Sequence, residues 1–543
     1  MRDQGRGIGE RRELSVAVSS VPVPRPPSAV PAFALAVLSG VLLALSFPKF
    51  GQPAFAWIAL APLLVAVSNR RVTGIRAFTL GWVTGAVYFW GTLYWLVQTM
   101  TTYGGLSTPV AALCALLLVA YLSLFPALFG WAHARLARTF GAAAVLFAPA
   151  VWVASEMGRT YLLDGFPWEL LGYSQSTVLP IAQTASLVGV YGLSALIALV
   201  SASAAYGVLA AGARRWRPLA ITGALVLACG VWGAARIRAQ TLVRGGTPIK
   251  VAVLQGNIAQ DEKWQDNPAT RDAIMNRYLE MTREAIGRGA KFVLWPEWAT
   301  PLPYEQDPVH GEAIRRLARE GKITLLIGSD QVVPAAPAAA GKPPELQYYN
   351  AAYLIQPNGA TAAVYRKIHL VPFGEFVPFK RVLFFVGPLV DAVSDFTPGT
   401  EPLTLPVEGH RVSTAICYEV IYGSLIRTFV QRGSELLTTI TNDAWYGRSS
   451  AAYQHWQQAS LRAVEEGRYL ARAANTGISG FVDPYGRVLE ESNMFESAVL
   501  ADDIRFLTDR TIYSRIGDLV GWLSVALTSA ALLATVRIKS GKR

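Results

Sequence analysis

The chain has 543 residues, 52% of them hydrophobic and only 16% charged, with a net charge of +12. A soluble domain carries about 25% charged residues, so this composition excludes an ordinary soluble protein. Three cysteines, two of them (Cys114 and Cys229) in apolar runs, exclude a disulfide framework or a cysteine-rich metal cluster. The positive charge invites a nucleic-acid partner, but the basic residues collect at the ends of apolar segments, where membrane topology accounts for them.

Residues 1–30, with Arg2, Arg6, Arg11, Arg12, Arg25 and several prolines, read as a basic disordered extension. A secretory signal is the competing reading of the first apolar segment. Apolar spans continue one after another, however, which makes that segment a retained anchor. Seven spans are expected at roughly 31–47, 53–68, 78–98, 108–130, 142–158, 181–210 and 218–236, and an eighth at 518–536. Each is near the ~20 residues that cross a bilayer core, the first two being short. Arg70, Arg71 and Arg76 follow the second span, Arg135 and Arg138 the fourth, Arg214, Arg215 and Arg217 the sixth, and Arg537, Lys539, Lys542 and Arg543 the eighth. Positive charge stays inside, so both termini are expected in the cytoplasm and residues 237–517 on the outer side, in the periplasm or its equivalent. The loop after the fifth span holds Arg159, Tyr161, Asp164, Phe166, Trp168 and Glu169 and reads as an interfacial aromatic belt, with a substrate role as the alternative. Glu156, an acid near membrane depth, is a functional candidate.

Residues 247–510 have ordinary globular composition. Strands are expected at Ile249–Leu254, Lys291–Trp295, Ile323–Ile327, Asn350–Ile355, Val412–Ile416, Glu435–Thr441 and Ile478–Val482. An amphipathic helix is expected over 268–287, with Ile274, Tyr278, Met281 and Ile286 on one face. Val332–Pro344, rich in Ala and Pro, reads as a loop insertion. Alternating strands and helices predict an α/β domain.

Three strand ends carry chemistry. Glu297 lies just beyond an apolar strand in Leu294-Trp295-Pro296-Glu297, where desolvation raises a carboxylate toward a usable base. Lys367 follows another strand in Tyr365-Arg366-Lys367, with Glu375 further on. Cys417 stands where a strand hands over to a helix in Ala415-Ile416-Cys417-Tyr418-Glu419, a place where backbone N–H groups and the helix dipole are expected to lower the thiol pKa. A base, a cation and a thiol together suffice for nucleophilic acyl transfer. A buried structural cysteine and solvated surface charges are the plainer alternatives.

Glu, Lys and Cys at three successive strand ends resemble the nitrilase superfamily. Trp295-Pro296-Glu297, His369 to Pro378, Cys417-Tyr418-Glu419, Asn442 to Gly447, Gln454-His455 through Arg462-Ala463, Glu466-Gly467-Arg468 and Asn475-Thr476-Gly477 narrow the resemblance to the bacterial apolipoprotein N-acyltransferases. That resemblance implies a multi-pass helical membrane bundle joined to an extracytoplasmic α-β-β-α domain. It implies Glu297 as general base, Cys417 as the nucleophile that forms a thioester with the acyl group of a phospholipid, and Lys367 at the oxyanion. The implied acceptor is the α-amino group of a diacylglyceryl-cysteine on a lipoprotein. Glu375, Tyr418, Glu419 and Trp264 match supporting or substrate-binding positions. No metal or other cofactor is implied.

Three alternatives remain open: a membrane-tethered amidase acting on a small amide, a membrane binding protein with a degenerate catalytic domain, and a Cys–His mechanism using His369 or His455. Finally, residues 376–390, apolar around Phe379, Phe384 and Phe385 and interrupted by Lys380-Arg381, read as a lid over the thiol that dips into the outer leaflet.

Overall fold

The computed structural model describes residues 31–69, 72–163, 165–264, 267–335, 345–376 and 395–540. The basic extension, Asp164, residues 336–344 of the Ala/Pro-rich stretch and residues 377–394, which include Phe379, Phe384 and Phe385, lie outside this set, as does the side chain of Trp264.

Apolar sequence dictates the first half. Helices form at Ala32–Leu45, Pro53–Val67, Gly74–Leu93, Thr108–Phe140, Ala148–Tyr161, Ala185–Leu209 and Arg217–Ala239, and again at Leu519–Ser540. Among the described residues four helical stretches, Thr108–Tyr161, Ala185–Leu209, Ala213–Arg244 and Leu519–Ile538, are long and apolar enough to cross a membrane. The first is 54 residues long but folds back on itself. The backbone turns at Gly141, φ +66°, and Thr108–Phe140 packs against Ala148–Tyr161. The helix expected from 78 begins at Gly74, because the Thr73 side chain caps it by accepting from the Arg76 N–H at 3.3 Å.

Apolar side chains gain little by leaving lipid for one another, so helices in a membrane associate where small residues let their backbones approach. Gly81 and Gly85 make such a face. A Cβ on Gly81 would lie 2.2 Å from the Pro126 carbonyl oxygen, and one on Gly85 would lie 2.8 Å from Ser123 Cα. Helix Ala185–Leu209 breaks at Gly189, φ +66°. The Tyr513 ring fills the space a Cβ would take there, and the Val190 N–H donates to the Glu465 carboxylate at 2.8 Å. The break in the bundle is thus closed by a side chain of the globular half.

Among the described residues of that half, twelve strands form two six-stranded sheets. They are β1 (Thr247–Gln255), β2 (Phe292–Leu294), β3 (Thr324–Pro334), β4 (Leu346–Ile355), β5 (Thr361–Arg366), β6 (Leu405–Val407), β7 (His410–Ile416), β8 (Leu436–Thr441), β9 (Leu470–Ala474), β10 (Gly480–Val482), β11 (Val488–Glu491) and β12 (Ala498–Phe506). The orders are β12-β1-β2-β3-β4-β5 and β11-β10-β9-β8-β7-β6. Each sheet has a parallel centre, in which Val253 faces Leu294 and Leu294 faces Leu326, while Ile416 faces Ile440 and Ile440 faces Ala473. The sheets meet through β1 on β9 and β4 on β7. Helices Pro268–Gly287 and Pro308–Gly321 cover one outer face, and Gly423–Gln431 and Ala451–Glu466 the other, giving an α-β-β-α sandwich. Burial on both faces explains why the central strands read as unbroken apolar runs.

The sequence differs from this picture in particular places. Val332 to Pro334 continue β3 instead of opening a loop. β6, β9, β11 and β12 have no clear strand signature. β9, Leu-Ala-Arg-Ala-Ala, has helical composition and is a strand because β8 and β10 flank it.

Candidate active site

The parallel strands of both sheets end on one side, the position at which α/β domains build sites. Glu297 stands beyond β2, Lys367 beyond β5, Cys417 beyond β7 and Asn442 beyond β8. Lys367 Nζ lies 3.2 Å from Glu297 Oε1 and 2.9 Å from Glu375 Oε1. The three side chains are only 1%, 4% and 6% exposed, so these are desolvated contacts that need further hydrogen bonds to persist. Asn350, inside β4, supplies them: its amide donates to both Glu297 Oε1 and Glu375 Oε1 at 2.7 Å. The Asn442 N–H donates to Glu297 Oε2 at 2.9 Å, and the Val371 N–H to Glu375 Oε2 at 2.8 Å. Burial disfavours the Lys367 ammonium, but the two carboxylates outweigh it and hold its pKa well above the ordinary lysine range.

Cys417 has φ +52° and is buried. This left-handed conformation costs a non-glycine residue about 1–2 kcal/mol, and such strain collects at functional sites. The expectation of an acidified thiol is overturned. Burial, and next the Glu297 carboxylate, push the thiol up, against the opposing pull of Lys367. The helix assumed to lower it is a five-residue 3-10 turn, Cys417–Ile421, and the α-helix begins only at Gly423. The resting Cys417 side chain is therefore a thiol, and Glu297 is the carboxylate acting most strongly on it.

Glu419 is buried under the site. One carboxylate oxygen accepts from the Ile368 N–H at 2.6 Å, the His369 N–H at 3.2 Å and the Tyr365 hydroxyl at 2.8 Å, and the other from the Ile416 N–H at 2.7 Å. It latches the strand end bearing Lys367 to the strand end bearing Cys417, and burial raises it to about 7. Tyr418 stacks on Phe166 of the bundle with ring centroids 6.3 Å apart. Trp264 ends the short helix Gln260–Trp264. Neither ring nitrogen of His455 is directed at the thiol, because Nε2 lies 3.1 Å from the Cys417 main-chain oxygen. His369 stacks on Tyr422 at 4.1 Å.

Trp168, in the loop after Tyr161, is buried and is not part of an exposed aromatic belt. Arg159 donates to the main-chain oxygens of Trp168 (2.6 Å) and Glu169 (3.3 Å). The buried Trp168 donates its indole N–H to Gln454 Oε1 at 2.9 Å, and Trp95 donates to the same oxygen at 3.2 Å. The Gln454 amide donates to the main-chain oxygens of Pro48 (2.8 Å) and Thr92 (3.0 Å). Gln454 of the globular half thus joins both of these rings. Glu156 accepts from the Trp152 indole (3.0 Å) and the Leu171 N–H (2.7 Å), which pins the same loop from below.

Comparison with known proteins divides the chain at the same place. Residues 39–203 match the family model described as apolipoprotein N-acyltransferase N-terminal domain, and residues 250–509 match the carbon-nitrogen hydrolase model. An apolipoprotein N-acyltransferase of Geobacter metallireducens is 39% identical over 94% of this chain and 96% of its own length. The chain belongs to the apolipoprotein N-acyltransferase family. Relatives of the same description from Methylococcus capsulatus (36% identical, 91% of this chain, 94% of theirs) and Azotobacter vinelandii (36%, 92% and 93%) agree. Membership places the carbon-nitrogen hydrolase fold on the α-β-β-α sandwich and the family's own N-terminal domain on the helical bundle beneath it.

Proposed function

We propose that the chain moves a fatty acyl group from a membrane phospholipid to the α-amino group of a lipoprotein's N-terminal diacylglyceryl-cysteine. The observation that carries this reading is the buried group of Glu297, Lys367, Glu375 and Asn350 beside Cys417, in a chain whose full-length relatives are named for lipoprotein acylation.

Glu297 takes the Cys417 thiol proton as sulfur attacks the ester carbonyl. The ammonium of Lys367 stabilises the oxyanion. The ester C–O bond breaks, the lysophospholipid oxygen leaves with the proton held by Glu297, and the acyl group remains as a Cys417 thioester. An α-amino group has a pKa of about 7.7–8, so a fraction of the acceptor is neutral near pH 7 and attacks the thioester carbon. Glu297 takes a proton from the nitrogen, the C–S bond breaks, and the thiolate recovers a proton to restore the resting thiol. Glu375 shares Lys367 so that its ammonium is not spent on Glu297 alone. Glu419 keeps the two strand ends in register.

The substrates explain the bundle. A lipid chain leaves a bilayer at a cost of about 0.8 kcal/mol per CH₂, so the thiol must be brought to the membrane. In this reading residues 31–236 and 518–536 cross the bilayer eight times, residues 247–510 face the periplasm, and both termini are cytoplasmic. Loading purified protein from labelled phospholipid and then adding a diacylglyceryl-cysteine peptide tests the transfer. The label is expected to pass from protein to the peptide's α-nitrogen. Release to water, with equal discharge by a small amine, would favour a tethered amidase instead.

A further inference from the structure

A second buried cluster adjoins Cys417 and takes no part in the steps above. His455, Asp443, Arg472 and Thr441 are all buried. His455 Nδ1 lies 3.0 Å from Arg472 Nη2 and 3.2 Å from Asp443 Oδ1. Nδ1 sits between a cation and a carboxylate, and Nε2 faces a main-chain oxygen, which only accepts, so a ring hydrogen resides on Nε2. There it donates to the Cys417 main-chain oxygen, 3.1 Å away. Arg472 is itself fixed: Nη2 donates to Asp443 Oδ2 at 2.8 Å and Nε donates to the Ile478 oxygen at 3.1 Å. The Thr441 hydroxyl donates to Asp443 Oδ1 at 2.9 Å. A Cβ on Gly477 would come 2.2 Å from Asp443 Oδ2, so that residue is glycine where the carboxylate must fit.

This cluster answers a need created by the nucleophile. Cys417 leaves β7 in a left-handed conformation and opens the Cys417–Ile421 turn, and the His455 N–H is the side-chain donor that meets its buried carbonyl. We propose that His455 is the positioning residue of the nucleophile: its Nε2–H, aimed by Arg472 and Asp443, holds the Cys417 main chain in the conformation that presents the thiol to Glu297 and Lys367. The Trp168 ring, 5.7 Å from the imidazole, backs it from the bundle side. The role rests on Cys417 being the nucleophile. It differs from a Cys–His pair because Nε2 is committed to a carbonyl and Nδ1 lies between Arg472 and Asp443.

The test uses full-length protein in detergent with Cys114 and Cys229 changed to serine, and the variants His455→Gln and His455→Asn. A glutamine amide reaches the place of Nε2, whereas an asparagine amide falls short. Two rates at Cys417 are read by peptide mass: alkylation by iodoacetamide, and thioester formation from labelled phosphatidylethanolamine. His455→Asn is expected to lower both rates by about 100-fold, and His455→Gln to restore them to within about 10-fold of the parent, since misplacing a reacting atom by about 1 Å costs that much. Melting temperatures separate this from general destabilisation, which would lower both variants together. Equal rates for Gln and Asn, whether both low or both unchanged, would overturn the proposal. If the parent protein alkylates but forms no thioester, the acyl-transfer reading fails, while the alkylation comparison still decides the role of His455.

Discussion

Asn350 determines whether two carboxylates can share one lysine. Its amide and the Lys367 ammonium bridge the same two oxygens, Glu297 Oε1 and Glu375 Oε1. Removing the amide leaves both acids short of a donor at a buried site, a loss of about 1–3 kcal/mol. Asn350→Leu is therefore expected to lower the melting temperature and to slow thioester formation on the order of 10²-fold, the scale of a displaced general base. An unchanged rate would make the bridge incidental. The sequence exposes Glu297, Lys367 and Cys417 because each follows an apolar strand. Asn350 is signalled only by being a polar residue inside such a strand, which by itself fits a surface position as well. The thiol's acidity is misjudged from sequence because neither its burial nor the shortness of the Cys417–Ile421 turn is visible there.

Helix Ala451–Glu466 carries His455, which meets the Cys417 carbonyl, at one end and two buried acids at the other. Burial pushes Glu466 up to about 8, with Glu465 adding to the shift, and Glu465 itself up to about 7. An unfolded glutamate titrates near about 4.3. Between that value and about 8 the folded protein binds more protons than the unfolded chain at Glu466, so this residue's contribution to stability falls as pH rises through the window. Glu466→Gln removes the effect. Its melting temperature relative to the parent is expected to climb from pH 6 to pH 8, and a constant difference across that range would refute the buried, protonated Glu466. In the bundle, Gly81→Ala is expected to cost about 1–3 kcal/mol, because even a methyl meets the Pro126 carbonyl. Gly223→Ala, whose Cβ meets nothing within 4 Å, is expected to be neutral or to stabilise by about 0.4–1 kcal/mol. Thermal unfolding in matched detergent reads both. Apolar helices and central strands are legible because burial on all sides writes unbroken apolar runs. Edge strands such as β6 and β11, short and half-exposed, owe their conformation to a neighbour that the local sequence does not name.

On the scale of the whole molecule, the catalytic half is bolted to the bundle. Gln454 joins Trp95, Trp168, Pro48 and Thr92, and Glu465 closes the break at Gly189. The thiol is thereby held against a fixed neighbour. In the proposed topology charge asymmetry sets the sidedness. In a cysteine-free background whose Cys417 is also replaced, a single cysteine at the exposed Glu345 is expected to react with a membrane-impermeant reagent in intact cells. One at Arg215 is expected to be shielded. The reverse pattern would place the domain in the cytoplasm, away from any lipoprotein acceptor.

The central claim is that Cys417 carries the acyl group. Full-length protein incubated with labelled phospholipid and digested under acid conditions should give one labelled peptide, containing Cys417, whose acyl group hydroxylamine releases. Cys417→Ala should lose that label while keeping the parent melting temperature, and Glu297→Gln should fail to form it. An acyl group on another residue, or product formed by Cys417→Ala at the parent rate, would contradict the account.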